Sequence, residues 1–217
     1  MVAVPIKPEY GPTLGRLLAP RWNAASPLAR RAVIAAGVAL ALAVLAAVLT
    51  LENAHYSRGG RVPFAFSYRG LYRVGPDPGS YVKVERRFAD GSLRDSFAVG
   101  PLRLPPYSGS ISGELPLYAA GYIRELSGRY PGFALRGEGK TKVNGLTSAY
   151  HVLYSVLLGG RKLYGRDILL VPERPGAREG VVIVMLTSPT KSSESSSPLE
   201  VALKGVLLRP LKTFSFG

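Results

Sequence analysis

The chain predicts an α+β fold: a mainly antiparallel sheet with two flanking helices, preceded by one transmembrane helix. Three observations carry that prediction. Residues 32–51 are twenty in a row without a charge. Beyond them, short apolar runs are punctuated by turn pairs such as Asp90-Gly91 and Gly159-Gly160. Two further segments, 115–126 and 199–207, repeat apolar residues at helical spacing.

The apolar run contains eight Ala, five Leu, four Val and one each of Ile, Gly and Thr. As a helix it spans roughly 30 Å, enough to cross the hydrocarbon core of a bilayer while pairing its own backbone groups. A cleavable export signal would have a shorter apolar stretch and a small-x-small site after it. Here Leu45-Ala46-Ala47 and Glu52-Asn53-Ala54 both lack the first small residue. An uncleaved anchor is therefore expected; a secreted protein released by cleavage is the alternative. Arg30 and Arg31 abut the run, with Arg16 and Arg21 behind them, and the far side begins with Glu52. By the positive-inside rule the N-terminus is cytoplasmic and the rest extracytoplasmic, at the plasma membrane. The expected organisation is a basic, proline-rich tail (1–31), the membrane helix (32–51), a linker (52–62) and an extracytoplasmic domain (63–217).

Within that domain, residues 64–72 read as an aromatic strand interrupted by Gly70. Tyr81, Val82, Val84 and Phe88 form a second extended run, and Phe97, Val99, Leu102 and Leu104 a third, ended by Pro105-Pro106. Leu115, Tyr118, Ala119, Tyr122, Ile123 and Leu126 make one apolar helical face, with Pro116 in the first turn and Gly128 and Pro131 as stops. The period then returns to two. Tyr150, Val152, Tyr154, Val156 and Leu158 point one way and more polar residues the other, as in a half-buried strand. Gly159-Gly160 turns it into a partner at about 161–171, and 181–186 is apolar throughout, suited to the middle of a sheet. After a Ser-rich loop, Ser197-Pro198-Leu199-Glu200 has the pattern of a capping box and predicts a helix stopped at Pro210.

This order of strand pairs, a middle helix, a long hairpin with alternating aromatics at 150–158 and a terminal helix running into Leu211-Lys212-Thr213-Phe214 resembles the PsbP-like family over about residues 63–217. The resemblance implies an α/β sandwich and a non-enzymatic binding or assembly role on a larger complex.

Composition excludes several chemistries. No cysteine is present, so there is no disulfide, thiolate zinc site, cysteine nucleophile or lipid-modified cysteine. The two histidines, His55 and His151, make no recognisable metal set or Ser–His pair. Glu85, Asp95, Glu138 and Asp167 are scattered, most beside Arg or Lys, and read as surface ion pairs. No catalytic, cofactor-binding or metal-binding residue is expected. The stretch from Ala134 to Thr141 satisfies a relaxed phosphate-loop pattern, but turn residues stand on both sides and no helix can open after it. Neither nucleotide nor nucleic acid is an expected partner.

Charge remains. Five basic residues against one acidic give +4 over 1–31, and 23 against 13 give +10 over the rest. Arg161, Lys162, Tyr164 and Arg166 cluster in sequence and are the candidate contacts to an anionic partner: lipid headgroups, a wall polymer or an acidic envelope protein. The expected function is a membrane-anchored binding or accessory domain, held in the bilayer by 32–51. The alternative is a cell-envelope hydrolase whose site is not recognisable from sequence.

Overall fold

The computed structural model describes residues 26–51, 54–189 and 195–217. The chain divides into two compact units, Met1–Leu51 and Glu52–Gly217.

The first unit contains helix α1, Pro27–Leu51, which starts inside the segment expected to be the basic, proline-rich tail. Ser26 begins it: its hydroxyl accepts from the Ala29 N–H at 3.2 Å and its carbonyl from Arg30, with proline at the first helical position. The stretch Pro27–Ala46 is long and apolar enough to cross a membrane and none of it is buried.

The second unit is three layers. Its centre is an antiparallel sheet of seven strands in the order β3-β4-β5-β9-β8-β7-β6. These are β3 (Tyr72–Val74), β4 (Val82–Arg87), β5 (Leu93–Arg103), β6 (Ala134–Val143), β7 (Leu146–Leu158), β8 (Arg161–Leu170) and β9 (Glu179–Thr187). The apolar 181–186 segment lies in β9, the middle strand. Three tight hairpins set the register. Asn144 and Gly145 take φ 45° and 88°, and Gly159 and Gly160 take 57° and 75°, the left-handed values that two-residue hairpins need, while Gly91 takes 80° at the end of a three-residue hairpin loop.

Helix α2, Ile111–Arg129, covers one face and packs over β7 and β6. Ser110 caps it by accepting from the Gly113 N–H at 3.2 Å, so the helix begins four residues before Leu115 and Pro116 lies in its second turn. Leu115, Ala119 and Leu126 point into the sheet, meeting Tyr150, Leu169 and Leu102 at one end and Val152, Tyr154 and Leu163 at the other.

The opposite face carries a second, three-stranded sheet in the order β1-β2-β10: β1 (Ala54–Arg58), β2 (Phe64–Tyr68) and β10 (Ser215–Phe216). Between the sheets lies the largest apolar cluster. Phe66 meets Phe97 at 4.9 Å between ring centroids, Phe64 stacks on Phe214 at 5.6 Å, and Val84, Val99, Ile183, Met185 and Ile168 fill the rest.

Three expectations are corrected. The segment 54–58, expected as linker, is strand β1 paired along its length with β2. Only Tyr56 of β1 packs inward, so its sequence shows no apolar alternation. Strand β7 is buried on both faces, because Ala149, Leu153 and Ser155 lie beneath the second sheet and the C-terminal segment rather than facing water. The helix expected after Ser197 is a single 3-10 turn, Pro198–Glu200. Ser197 makes no side-chain cap there. Instead the Glu200 carboxylate accepts from the Ser196 N–H and hydroxyl, and Ala202 turns left-handed at φ 61°. Val201 and Ala202 are thereby buried while Leu199 and Leu203 stay 62% and 59% exposed, which a continuous apolar stripe would not allow. A one-turn helix, α3 (Leu208–Lys212), follows, so α2 is the one long helix among the described residues of this unit. Residues 190–194 of the Ser-rich loop lie outside the described residues.

Candidate functional site

Because α2 sits mainly over β7 and β6, it leaves part of β5 and β9 uncovered, and the loop from β3 to β4 closes the far side. The result is a groove of about 530 Å³. Its floor is made of small or branched residues, Ala98, Gly100, Val182 and Val184. One wall is the loop Asp77-Pro78-Gly79-Ser80; the other is the α2 stripe Tyr118, Tyr122, Glu125 and Arg129, with Tyr130 beyond it. Those four recur at spacings of four, three and four, which puts them on one helical face. Gly100 helps set the width: a Cβ there would stand 3.1 Å from the Gly79 carbonyl oxygen, so a side chain would push the loop outward.

Beneath the Tyr122 end lies a buried carboxylate. Asp167, on β8, is wholly enclosed and accepts hydrogen bonds from the hydroxyls of Tyr122 (2.6 Å) and Tyr154 (2.8 Å). Burial pushes its pKa up to about 7, against the lowering effect of the two hydroxyls and of Arg129. Burial also raises both tyrosines, further helped by the nearby Asp167 charge, so they remain donors. Gly165 is required beside this pair, because a Cβ there would overlap the Tyr154 ring.

Other polar groups are committed elsewhere. Glu85 pairs with Lys83 (3.3 Å) and Arg87, and Asp95 with Arg86 (2.7 Å) and the Thr187 hydroxyl. His55 bonds to Ser67 on the β1–β2 ladder. His151 is held below its usual range by burial and by the Arg166 charge. Among the described residues no three His, Asp or Glu side chains could share a metal ion. The Ala134–Thr141 pattern lies within edge strand β6 and forms no loop between strand and helix.

The four cationic-cluster residues do not form one surface. Arg161 is tied to Asp90 (2.8 Å) and to the Ser92 hydroxyl across the neighbouring hairpin. Lys162 lies over the Tyr164 ring at 5.5 Å, and Tyr164 itself packs against the main core. Arg166 is only 8% exposed and donates to the Val201 carbonyl at 3.2 Å. It is therefore not a surface contact, because alternation along β8 turns it inward beneath the C-terminal segment.

A second concentration of positive charge does lie at the surface. Arg58, Arg61 and Arg103 surround Glu179 where β5 leaves the sheet and β9 enters it, in a depression of about 590 Å³. Tyr118 and Pro101 line both this depression and the groove, so the two adjoin. Neither depression was foreseen from the sequence; the helical stripe of tyrosines was its only advance sign.

No family model and no curated protein matches the chain. The solved structures that the chain is similar to include two bacterial proteins. LpqN of Mycobacterium tuberculosis, described as involved in cell envelope biogenesis, is 9% identical, with a TM-score of 0.51 over 76% of this chain and 91% of its own. A Pseudomonas aeruginosa protein of unknown function, PA94, a suggested regulator, is 15% identical, with a TM-score of 0.35 over 64% of this chain and 84% of its own. The first shows a related α+β fold; neither carries the PsbP name.

Proposed function

We propose that this chain is a membrane-anchored accessory domain of the cell envelope, which holds a ligand in the groove between α2 and the sheet without acting chemically on it. Helix α1 is the anchor, and the arginines at its N-terminal end favour a cytoplasmic tail and an extracytoplasmic domain. The similarity of fold to LpqN, a protein of envelope biogenesis, supports an envelope setting.

The observation that carries the binding reading is the state of the carboxylates. Among the described residues the carboxylate displaced toward neutrality is Asp167, which is buried away from the groove and held by two tyrosine hydroxyls. The two carboxylates that line the groove, Asp77 and Glu125, come from opposite walls and have no histidine between them. A general acid and base need proton-accessible, paired groups. What the groove offers is tyrosine faces and hydroxyls over an apolar floor, which suits recognition.

The test is crosslinking and capture of the full-length chain from its own membranes. Ala98→Phe, which places a ring in the groove, and Tyr118→Ser, which removes part of a wall, should each reduce the captured ligand while leaving the circular dichroism spectrum unchanged. Equal capture by wild type and both variants would contradict the assignment.

A further inference from the structure

We infer that the groove and the arginine depression form one site for an anionic amphiphile: a membrane lipid whose phosphate sits on Arg58, Arg61 and Arg103 and whose apolar part runs past Tyr118 over the Ala98 and Gly100 floor. This rests on the binding role proposed for the groove and names the ligand class.

Three features lead there. First, the charge is unbalanced. Three guanidinium groups and one carboxylate, Glu179, line the depression, and the pairing is loose: only Arg61 and Arg103 reach Glu179, both at the same oxygen, Oε1, at 3.4 Å. Their side chains remain 84% and 75% exposed, so most of their donors face the depression or solvent. Guanidinium forks match the geometry of phosphate oxygens and bind them bidentately.

Second, Arg58 is held ready. Its Cζ lies over the Tyr81 ring at 3.8 Å and its Nη1 donates to the carbonyls of Gly59 and Val62, a posture that costs little further entropy on binding. Third, the chemistry changes along the site. From the arginines, Tyr118 and Pro101 lead into a channel whose base is alanine, glycine and valine. An ion alone would leave that channel unused, and a neutral apolar ligand would leave the arginines unused. Arg58 follows the apolar run by seven residues in the sequence, so lipid phosphates are the anions an anchored chain constantly meets.

The experiment uses the full-length chain in nanodiscs with photoactivatable phosphatidylglycerol, photoactivatable phosphatidylcholine as the zwitterionic control, and soluble glycerol phosphate as a competitor. The anionic probe should label peptides of β5 and α2. Changing Arg58, Arg61 and Arg103 together to Gln should cut that labelling about tenfold, and Glu179→Gln, which removes the competing carboxylate, should raise it. Labelling confined to α1, or labelling of the groove by both lipids regardless of the arginines, would overturn the inference. Complete displacement by glycerol phosphate at low concentration would overturn the lipid source. If neither lipid labels the groove while Ala98→Phe still abolishes capture from native membranes, the binding role stands and the anionic ligand falls.

Discussion

On its β2 side the central sheet is buried beneath the second sheet and the C-terminal segment, whereas on its α2 side a stretch of β5 and β9 lies open between the helix and the β3–β4 loop. The difference separates residues that hold the fold together from residues free to meet a ligand. On the covered side, Phe64, Phe66, Phe97 and Phe214 are all fully buried and in ring contact through β2 and the C-terminal segment. On the open side, the floor above β5 has been reduced to Ala98 and Gly100, residues too small to fill the space themselves. The chain thus places its bulk where it needs cohesion and withholds it where the groove lies.

The largest effect expected from this contrast is in stability. Phe66→Ala on the covered side should cost about 4 kcal/mol, as large-to-small changes of buried aromatics do. Val184→Ala on the groove floor should cost about 1 kcal/mol, since its side chain already borders open space. Urea denaturation of the full chain measures both. Similar losses at the two positions would erase the distinction between the faces.

Next in size is the buried carboxylate under the groove. The Asp167 pKa is raised from 3.8 to about 7, so between those values the folded state holds a proton that the unfolded chain releases. Stability should therefore fall as pH rises from about 4 to 7 and flatten above, because the native state binds more protons over that window. Asp167→Asn cannot titrate and should lose that part of the slope while keeping an acceptor for one tyrosine. Denaturation midpoints of wild type and variant across this range compare the two directly; parallel curves would show that Asp167 ionises as freely in the native state as in the unfolded chain.

A smaller effect concerns the cationic residues of β8. Arg166 is buried without a carboxylate partner among the described residues, and its Nε has no hydrogen-bond partner. Arg166→Met should be neutral or stabilising, since a long apolar side chain avoids that desolvation. Arg161→Gln breaks an exposed pair with Asp90 and should cost less than about 1 kcal/mol. A large loss from Arg161→Gln with none of the expected tolerance at Arg166 would reverse the assignment of inside and outside on this strand.

How much of this the sequence disclosed follows from the range over which each signal acts. Local signals were legible. Asp90-Gly91 and Gly159-Gly160 mark hairpins that the sheet contains, and the Leu115–Leu126 spacing marks the face of α2. The all-apolar 181–186 segment named the central strand because burial on both faces demands it. Longer-range features were hidden. Strand β1 is held by its backbone ladder, one inward tyrosine and polar contacts from His55 and Arg58, and such a strand leaves almost no apolar pattern. The capping box failed because Val201 and Ala202 gain more by turning into the core than by continuing a helix whose Leu199 and Leu203 would still face water. Asp167 looked like one half of an Arg166–Asp167 surface pair. Adjacent residues of a strand point to opposite faces, and one went to each core. The groove joins β5, β9, α2 and the β3–β4 loop, which no single stretch of sequence represents.

The most direct measurement exploits the absence of cysteine. Ser80→Cys puts one thiol on the groove wall and Ser127→Cys puts one on the exposed side of α2. Maleimide labelling of the two in native membranes, and again after extraction and removal of bound lipid, gives a protection ratio in each setting. A groove that holds a ligand predicts selective protection at position 80 in membranes, lost on delipidation and restored by anionic lipid. An unchanged ratio between the two settings would contradict an occupied groove.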